Sequence, residues 1–169
     1  MREKTFCPYC GKKTIRKELE GRERSYCPDC DEILYENPFP ATVALIKNNR
    51  EELLLVERAV EPAKGKWGLP GGFVEIDETL EEAVLRELKE ETGLTGTTKS
   101  LVSVSSQISK YWNKLVIVVG YWVEVSNYNK LTPGDDASDA KFFSLKRLPP
   151  LAFSSHQELV NAFLKKEWQ

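Results

Sequence analysis

The chain has 169 residues, an apolar share of 41% and a formal charge of -2. That is room for one ordinary domain with its own core plus a small appendage. The near-neutral charge excludes a general pull toward nucleic acid or anionic membrane. No apolar run approaches the ~18 residues of a membrane helix.

The opening MREKTFCPYC has no apolar signal core, so the expected location is cytoplasmic, where thiols stay reduced. Cys7-Pro8-Tyr9-Cys10 and Cys27-Pro28-Asp29-Cys30 are two Cys-x-x-Cys turns separated by 16 residues. This spacing reads as a four-cysteine zinc ribbon. Each turn presents two thiolates, and two turns complete a tetrahedron around Zn²⁺. A four-thiolate site is closed, so this zinc is expected to be structural. Lys12 to Tyr26, with Gly21 near its middle, reads as a hairpin too poor in apolar residues to fold without metal. Its basic residues are offset by acids, which favours a solvated surface over a nucleic-acid patch. Asn37-Pro38-Phe39-Pro40 is expected to be a stiff hinge. The expected domains are 1–36 for the ribbon and 37–169 for the main domain.

Ala41 to Ile46 reads as a buried strand and Leu53 to Val56 as a second, pairing back on it. Ala59 to Lys66 is a polar loop, and Trp67 to Phe73 is a Gly- and Pro-containing lead-in. Thr79 and Glu82 form a capping box that starts a helix at Leu80, and Gly93 ends it in a left-handed conformation. Leu80, Ala83, Val84 and Leu88 make one apolar stripe. Glu87 and Glu91 fall inside that stripe and Glu90 at its edge. Buried carboxylates near a helix C-terminus either neutralise or meet cations. Hard oxygen ligands suit Mg²⁺ or Mn²⁺, which suit phosphate substrates.

Strands are expected over Ser100–Gln107, Leu115–Val125 and Ala140–Leu145, with a turn at 110–113 and a polar loop over 126–138. Tyr121 and Trp122 read as packing. Ser155 and Glu158 read as a second capping box, opening a helix through about Lys166. His156, in its first turn, reads as surface or structural rather than catalytic. Strands flanking a helix, with another at the end, indicate an α/β/α sandwich.

Gly72, Glu78 and Arg86-Glu87-Leu88-Lys89-Glu90-Glu91-Thr92-Gly93-Leu94 fill every fixed position of a known pattern, and the segment resembles the Nudix box. The resemblance implies a Nudix-type α/β/α sandwich with a mixed sheet. It implies an enzyme that hydrolyses a pyrophosphate bond in a nucleoside diphosphate linked to another moiety. It assigns Glu87, Glu90 and Glu91 to the Mg²⁺ or Mn²⁺ shell and to catalysis, with the Gly72 carbonyl joining that shell. Glu78 and Arg86 become a structural ion pair, and Arg58 a substrate contact. Ser138-Asp139-Ala140-Lys141-Phe142-Phe143 resembles a segment that supplies a further acid in zinc-ribbon members. Asp139 is therefore a candidate metal ligand or base, with Asp135 and Asp136 competing for that role.

Ribbon plus box resembles the NADH pyrophosphatase branch and relatives acting on ADP-ribose or FAD. The NADH branch carries Ser-Gln-Pro-Trp-Pro-Phe-Pro; here Ser106-Gln107-Ile108-Ser109 has no prolines. Leu148 to Phe153 resembles a segment of ADP-ribose pyrophosphatases. The expected partner is a small nucleotide substrate and not a membrane. NAD-capped RNA and a homodimer are compatible with the resemblance. Two alternatives are a house-cleaning nucleoside triphosphatase and a non-catalytic module that senses nucleotides or binds nucleic acid.

Overall fold

The computed structural model describes residues 4–165. The chain divides into two compact units, Met1–Pro38 and Phe39–Gln169.

In the first unit β1 (Ile15–Leu19), β2 (Arg22–Cys27) and β3 (Glu32–Leu34) form an antiparallel sheet in the order β1-β2-β3. The Glu20-Gly21 turn closes the β1–β2 hairpin, with Ile15 opposite Tyr26. β3 went unforeseen because its three residues carry no periodicity of their own.

The second unit contains β4 (Phe39–Leu45), β5 (Glu52–Arg58), β6 (Trp67–Gly68), β7 (Gly71–Phe73), α1 (Leu80–Thr92), β8 (Thr97–Ser109), β9 (Lys114–Glu124), β10 (Ala137–Ser144) and α2 (Ser154–Lys165). Lys166, the expected end of the last helix, lies outside the described residues. The strands form two sheets, β10-β5-β6 and β7-β4-β9-β8, in which β4 and β9 are parallel and the other ladders antiparallel. The expected hinge is shorter than four residues. Phe39 and Pro40 already belong to β4, opposite Val116 and Ile117. The expected β4–β5 hairpin is confined to its turn end, where Lys47 bridges Leu53 antiparallel and the Leu54 and Asn48 N–H groups donate to the Ile46 and Glu52 carbonyls, each at 3.0 Å. β5 takes its ladders from β10 and β6.

Every β4 residue from Ala41 to Leu45 is buried, because a helix covers each face. Val43 and Leu45 meet Leu53, Leu55, Val118 and the α2 residues Leu159, Val160 and Phe163. Ala44 meets Ile46, Leu54, Val119 and the α1 residues Val84 and Leu88. This is an α/β/α sandwich with a mixed sheet. Tyr121 is core, its hydroxyl donating to Glu81 at 2.9 Å. Among the described residues no helix is long and apolar enough to cross a membrane.

The start of α2 corrects the sequence reading. The helix opens at Ser154, and Glu158 does not reach back to cap it. Glu158 instead accepts from the Ser105 hydroxyl of β8. Gln107 Oε1 takes the capping role, accepting from the Ser154 hydroxyl at 3.1 Å and the Ser155 N–H at 3.3 Å.

Candidate functional site

The Thr79 hydroxyl accepts the Glu82 N–H and the Glu82 side chain accepts the Thr79 N–H, so both halves of the α1 capping box are present. Such a cap contributes about 1 kcal/mol. Gly93, at φ 68°, closes the other end by donating its N–H to the Lys89 carbonyl. These two local signals fix the phase of α1. Ala83, Val84 and Leu88 go into the core and Glu91 goes with them, 4% exposed. Glu87 is half-buried and Glu90 exposed.

The acidic face of α1 lines a cleft of about 360 Å³. β4 contributes Thr42, β5 Arg58, and β7 Gly71, Gly72 and Phe73. Gln107, Trp112, Asp135, Asp136, Phe153 and His156 complete the wall. Gly72 makes room for an acid: a Cβ there would lie 2.6 Å from Glu87 Cδ.

Arg86 organises the acids. It grips Glu78 with two bonds, Nε to Oε2 at 2.9 Å and Nη2 to Oε1 at 2.6 Å. Its Nη1 donates to Glu87 Oε1 at 2.8 Å and Glu90 Oε2 at 2.9 Å, and its Nη2 to the Phe73 carbonyl at 3.1 Å. The Arg86 bonds bring Glu78 down to about 2. Burial raises Glu87 above the usual carboxylate range, against the pull of Arg86. Burial also drives Glu91 to about 8; Glu87 and Asp136 add to the rise, and the Gly71 N–H and Arg58 oppose it.

Asp135 and Asp136 reach the cleft because their loop is tied to the end of α1. Thr132 N–H donates to the Thr92 carbonyl at 2.9 Å and Gly134 N–H to the Glu91 carbonyl at 3.1 Å. Asp139 is not among the residues lining the cleft. It lies on β10, where Lys141 at 2.9 Å and the Ala140 N–H at 2.8 Å take its carboxylate. The Lys141 bond holds it below the usual carboxylate range. Arg58 lines the cleft, its Nε donating to the Pro62 carbonyl at 2.7 Å.

Three side chains here hold places in the cleft wall that the sequence reading does not give them. Trp112 sits in the turn after β8, ring to ring with Phe73 at 5.2 Å, and was read only as turn material. Gln107 and His156 gain their roles from distant partners, which no local pattern reveals.

In the first unit the four cysteine sulfurs lie within 4.8 Å of one another, the one such cluster of metal-ligating groups among the described residues. Cys7 and Cys30 are 3.9 Å apart, Cys10 and Cys27 3.6 Å. A tetrahedral zinc with bonds of about 2.3 Å sets its sulfurs roughly 3.8 Å apart, so the cage has the dimensions of that ion. Burial raises the Cys7 thiol, but the Cys10 and Tyr9 N–H groups outweigh it and bring it to about 7. Cys30, beside Cys10, is pushed up to about 12. Four crowded thiolates need a cation to coexist.

The model of the NUDIX domain matches residues 37–163. An ADP-ribose pyrophosphatase of Methanocaldococcus jannaschii is 42% identical over 92% of this chain and 87% of its own length. The NAD-capped RNA hydrolase NudC of Pseudomonas aeruginosa is 31% identical over 98% of this chain; the chain spans 57% of that protein's length. Among solved structures, a NUDIX hydrolase from Nitrosomonas europaea superposes with a TM-score of 0.79 at 27% identity, covering 95% of this chain and 90% of the other. With its box on a capped helix, a domain model matching residues 37–163 and a relative 42% identical over 92% of the chain, this protein belongs to the Nudix hydrolase family.

Proposed function

We propose that this protein hydrolyses the pyrophosphate bond of a nucleoside diphosphate linked to a sugar or second nucleoside, with ADP-ribose as the leading substrate. The observation that carries the reading is the burial of Glu91 beside Glu87 on one cleft wall, with Arg58 in the same wall. The name of the relative at 42% identity supports ADP-ribose in particular.

The cleft acids fit a divalent cation by their chemistry. They are oxygen donors only; burial raises Glu87 and drives Glu91 to about 8, and a cation beside them would favour the charged form of each. Glu87, Glu90 and Glu91 would hold it, with the Gly72 carbonyl alongside. Such a cation, Mg²⁺ or Mn²⁺, neutralises phosphate charge and lowers the pKa of bound water. Arg86 keeps Glu87 and Glu90 in position through Nη1, and the Gly71 N–H does the same for Glu91. Arg58 supplies positive charge for a phosphate. Asp135 and Asp136 replace Asp139 as the candidates for a further acid. In this reading residues 1–36 form a ribbon with structural Zn²⁺ on Cys7, Cys10, Cys27 and Cys30, and 37–169 the hydrolase.

The test is a product-resolved screen with Mg²⁺ or Mn²⁺ against ADP-ribose, NADH, FAD and nucleoside triphosphates. AMP plus ribose 5-phosphate from ADP-ribose is expected. Inorganic pyrophosphate from triphosphates, with the dinucleotides untouched, would sink the proposal.

A further inference from the structure

His156 is the single histidine of the chain, and the proposed chemistry leaves it unused. It is buried in the first turn of α2, yet it lines the same cleft as Glu91. Its Nδ1 accepts the Leu69 N–H at 3.0 Å. A ring nitrogen that accepts carries no hydrogen, so the neutral imidazole has its hydrogen on Nε2. Burial, with Arg58 nearby, lowers the ring to about 3, so it stays neutral at physiological pH.

Nε2 has no protein partner among the described residues, nor is it one of the buried atoms left unsatisfied. With Nδ1 taken by Leu69, Nε2 is the ring nitrogen left for a ligand in the cleft that the ring lines. The ring cannot easily turn away. Phe153 packs edge-on at 5.0 Å, and Gly68 presses so close that a Cβ there would lie 3.3 Å from Nδ1. The result is a rigid, uncharged N–H donor on a side chain of the cleft wall. The Arg58 guanidinium, 5.4 Å over the Phe153 ring, is the group that would take a phosphate. An uncharged donor is suited instead to a ring nitrogen, carbonyl or hydroxyl oxygen, where no ion need be desolvated.

We propose that His156 is a positioning residue whose Nε2–H donates to an uncharged acceptor on the nucleoside half of the substrate. This rests on the pyrophosphatase reading above. The short link from β6 into β7 supplies both anchors: the Leu69 N–H holds His156 and the Gly71 N–H, two residues on, holds Glu91. The nucleoside contact and the acid wall are therefore set by one piece of backbone.

The protein labelled with ¹⁵N-histidine gives one imidazole to observe. With Mg²⁺, the non-hydrolysable probe is α,β-methylene ADP-ribose, with saturation followed by calorimetry. The expected spectrum is that of the Nε2–H tautomer, and saturation moves the Nε2–H signal downfield while Nδ1 stays. His156→Asn keeps an acceptor for Leu69, through Oδ1, but loses the Nε2 donor. It should raise KM for ADP-ribose about tenfold with kcat within about twofold. Saturation without any change at Nε2 overturns the histidine assignment and leaves the pyrophosphatase reading standing. No binding of the probe and no turnover of ADP-ribose overturn that reading, and this proposal with it. Should His156→Asn fail to fold, the labelled wild-type protein decides.

Discussion

The Gly71 N–H meets Glu91 Oε2 at 2.9 Å, and this backbone donor is set against the burial of a carboxylate that rests at about 8. Glu91 therefore binds its proton more tightly in the folded chain than in the unfolded one, whose value is 4.5. In metal-free protein its contribution favours folding at low pH and is lost as pH rises toward 8. His156 acts in the opposite sense. Neutral when folded, it is protonated in the unfolded chain below 6.5 and opposes folding as pH falls toward 3. The window free of that opposition is pH 6.5 to 8. There the melting temperature of zinc-loaded protein kept free of Mg²⁺ and Mn²⁺ should fall more steeply with rising pH than that of Glu91→Gln. Equal slopes in the two proteins would refute the assignment. In steady-state assays Glu91→Gln should also lose turnover by on the order of a thousandfold while remaining folded.

Neighbouring glycines should fail differently. At Gly72 a Cβ meets the end of the Glu87 side chain, which can swing aside. Gly72→Ala should melt within a few degrees of wild type but lose about a hundredfold in kcat. At Gly71 the obstacle is backbone, with Val43 Cα 2.7 Å from the Cβ position. Gly71→Ala should unfold at clearly lower temperature. Thermal melts and kcat on the two variants separate the cases.

Arg86→Lys keeps the charge and loses the fork that grips Glu78 while bonding Glu87 and Glu90. It should cost roughly ten- to a hundredfold in kcat/KM with secondary structure intact by circular dichroism. Wild-type kinetics would mean that the fork does not orient the acids.

The cysteine cage should carry one zinc per chain by atomic absorption. Its four thiols should resist a thiol reagent until a chelator removes the metal, and Cys27→Ser should abolish tight zinc retention. Four thiols that react at once in the untreated protein would rule out the cage.

The helix α1 was legible residue by residue because its caps and stripe are local signals, and its misplaced glutamates announced the site. The ribbon cysteines were legible for the same reason. What stayed hidden depends on long-range partners. Whether Asp136 or Asp139 reaches the cleft is decided by the bonds from Thr132 and Gly134 to the end of α1. The start of α2 is decided by Gln107, 47 residues upstream of Ser154. The depth of His156 is decided by the Leu69 N–H, 87 residues away. β6 and β7, two and three residues long, exist only through their ladders to β5 and β4.

Arg86 is already bound to three glutamates before any divalent ion arrives. The hydrolase unit thus carries a resident counter-ion for Glu78, Glu87 and Glu90. Its acids would keep that partner whatever the supply of Mg²⁺ or Mn²⁺, whereas no side chain among the described residues binds all four sulfurs of the cysteine cage. On the proposed reading one chain would answer to two metals on different terms: scarcity of the first would idle a finished enzyme, and scarcity of the second would leave the polypeptide unfinished.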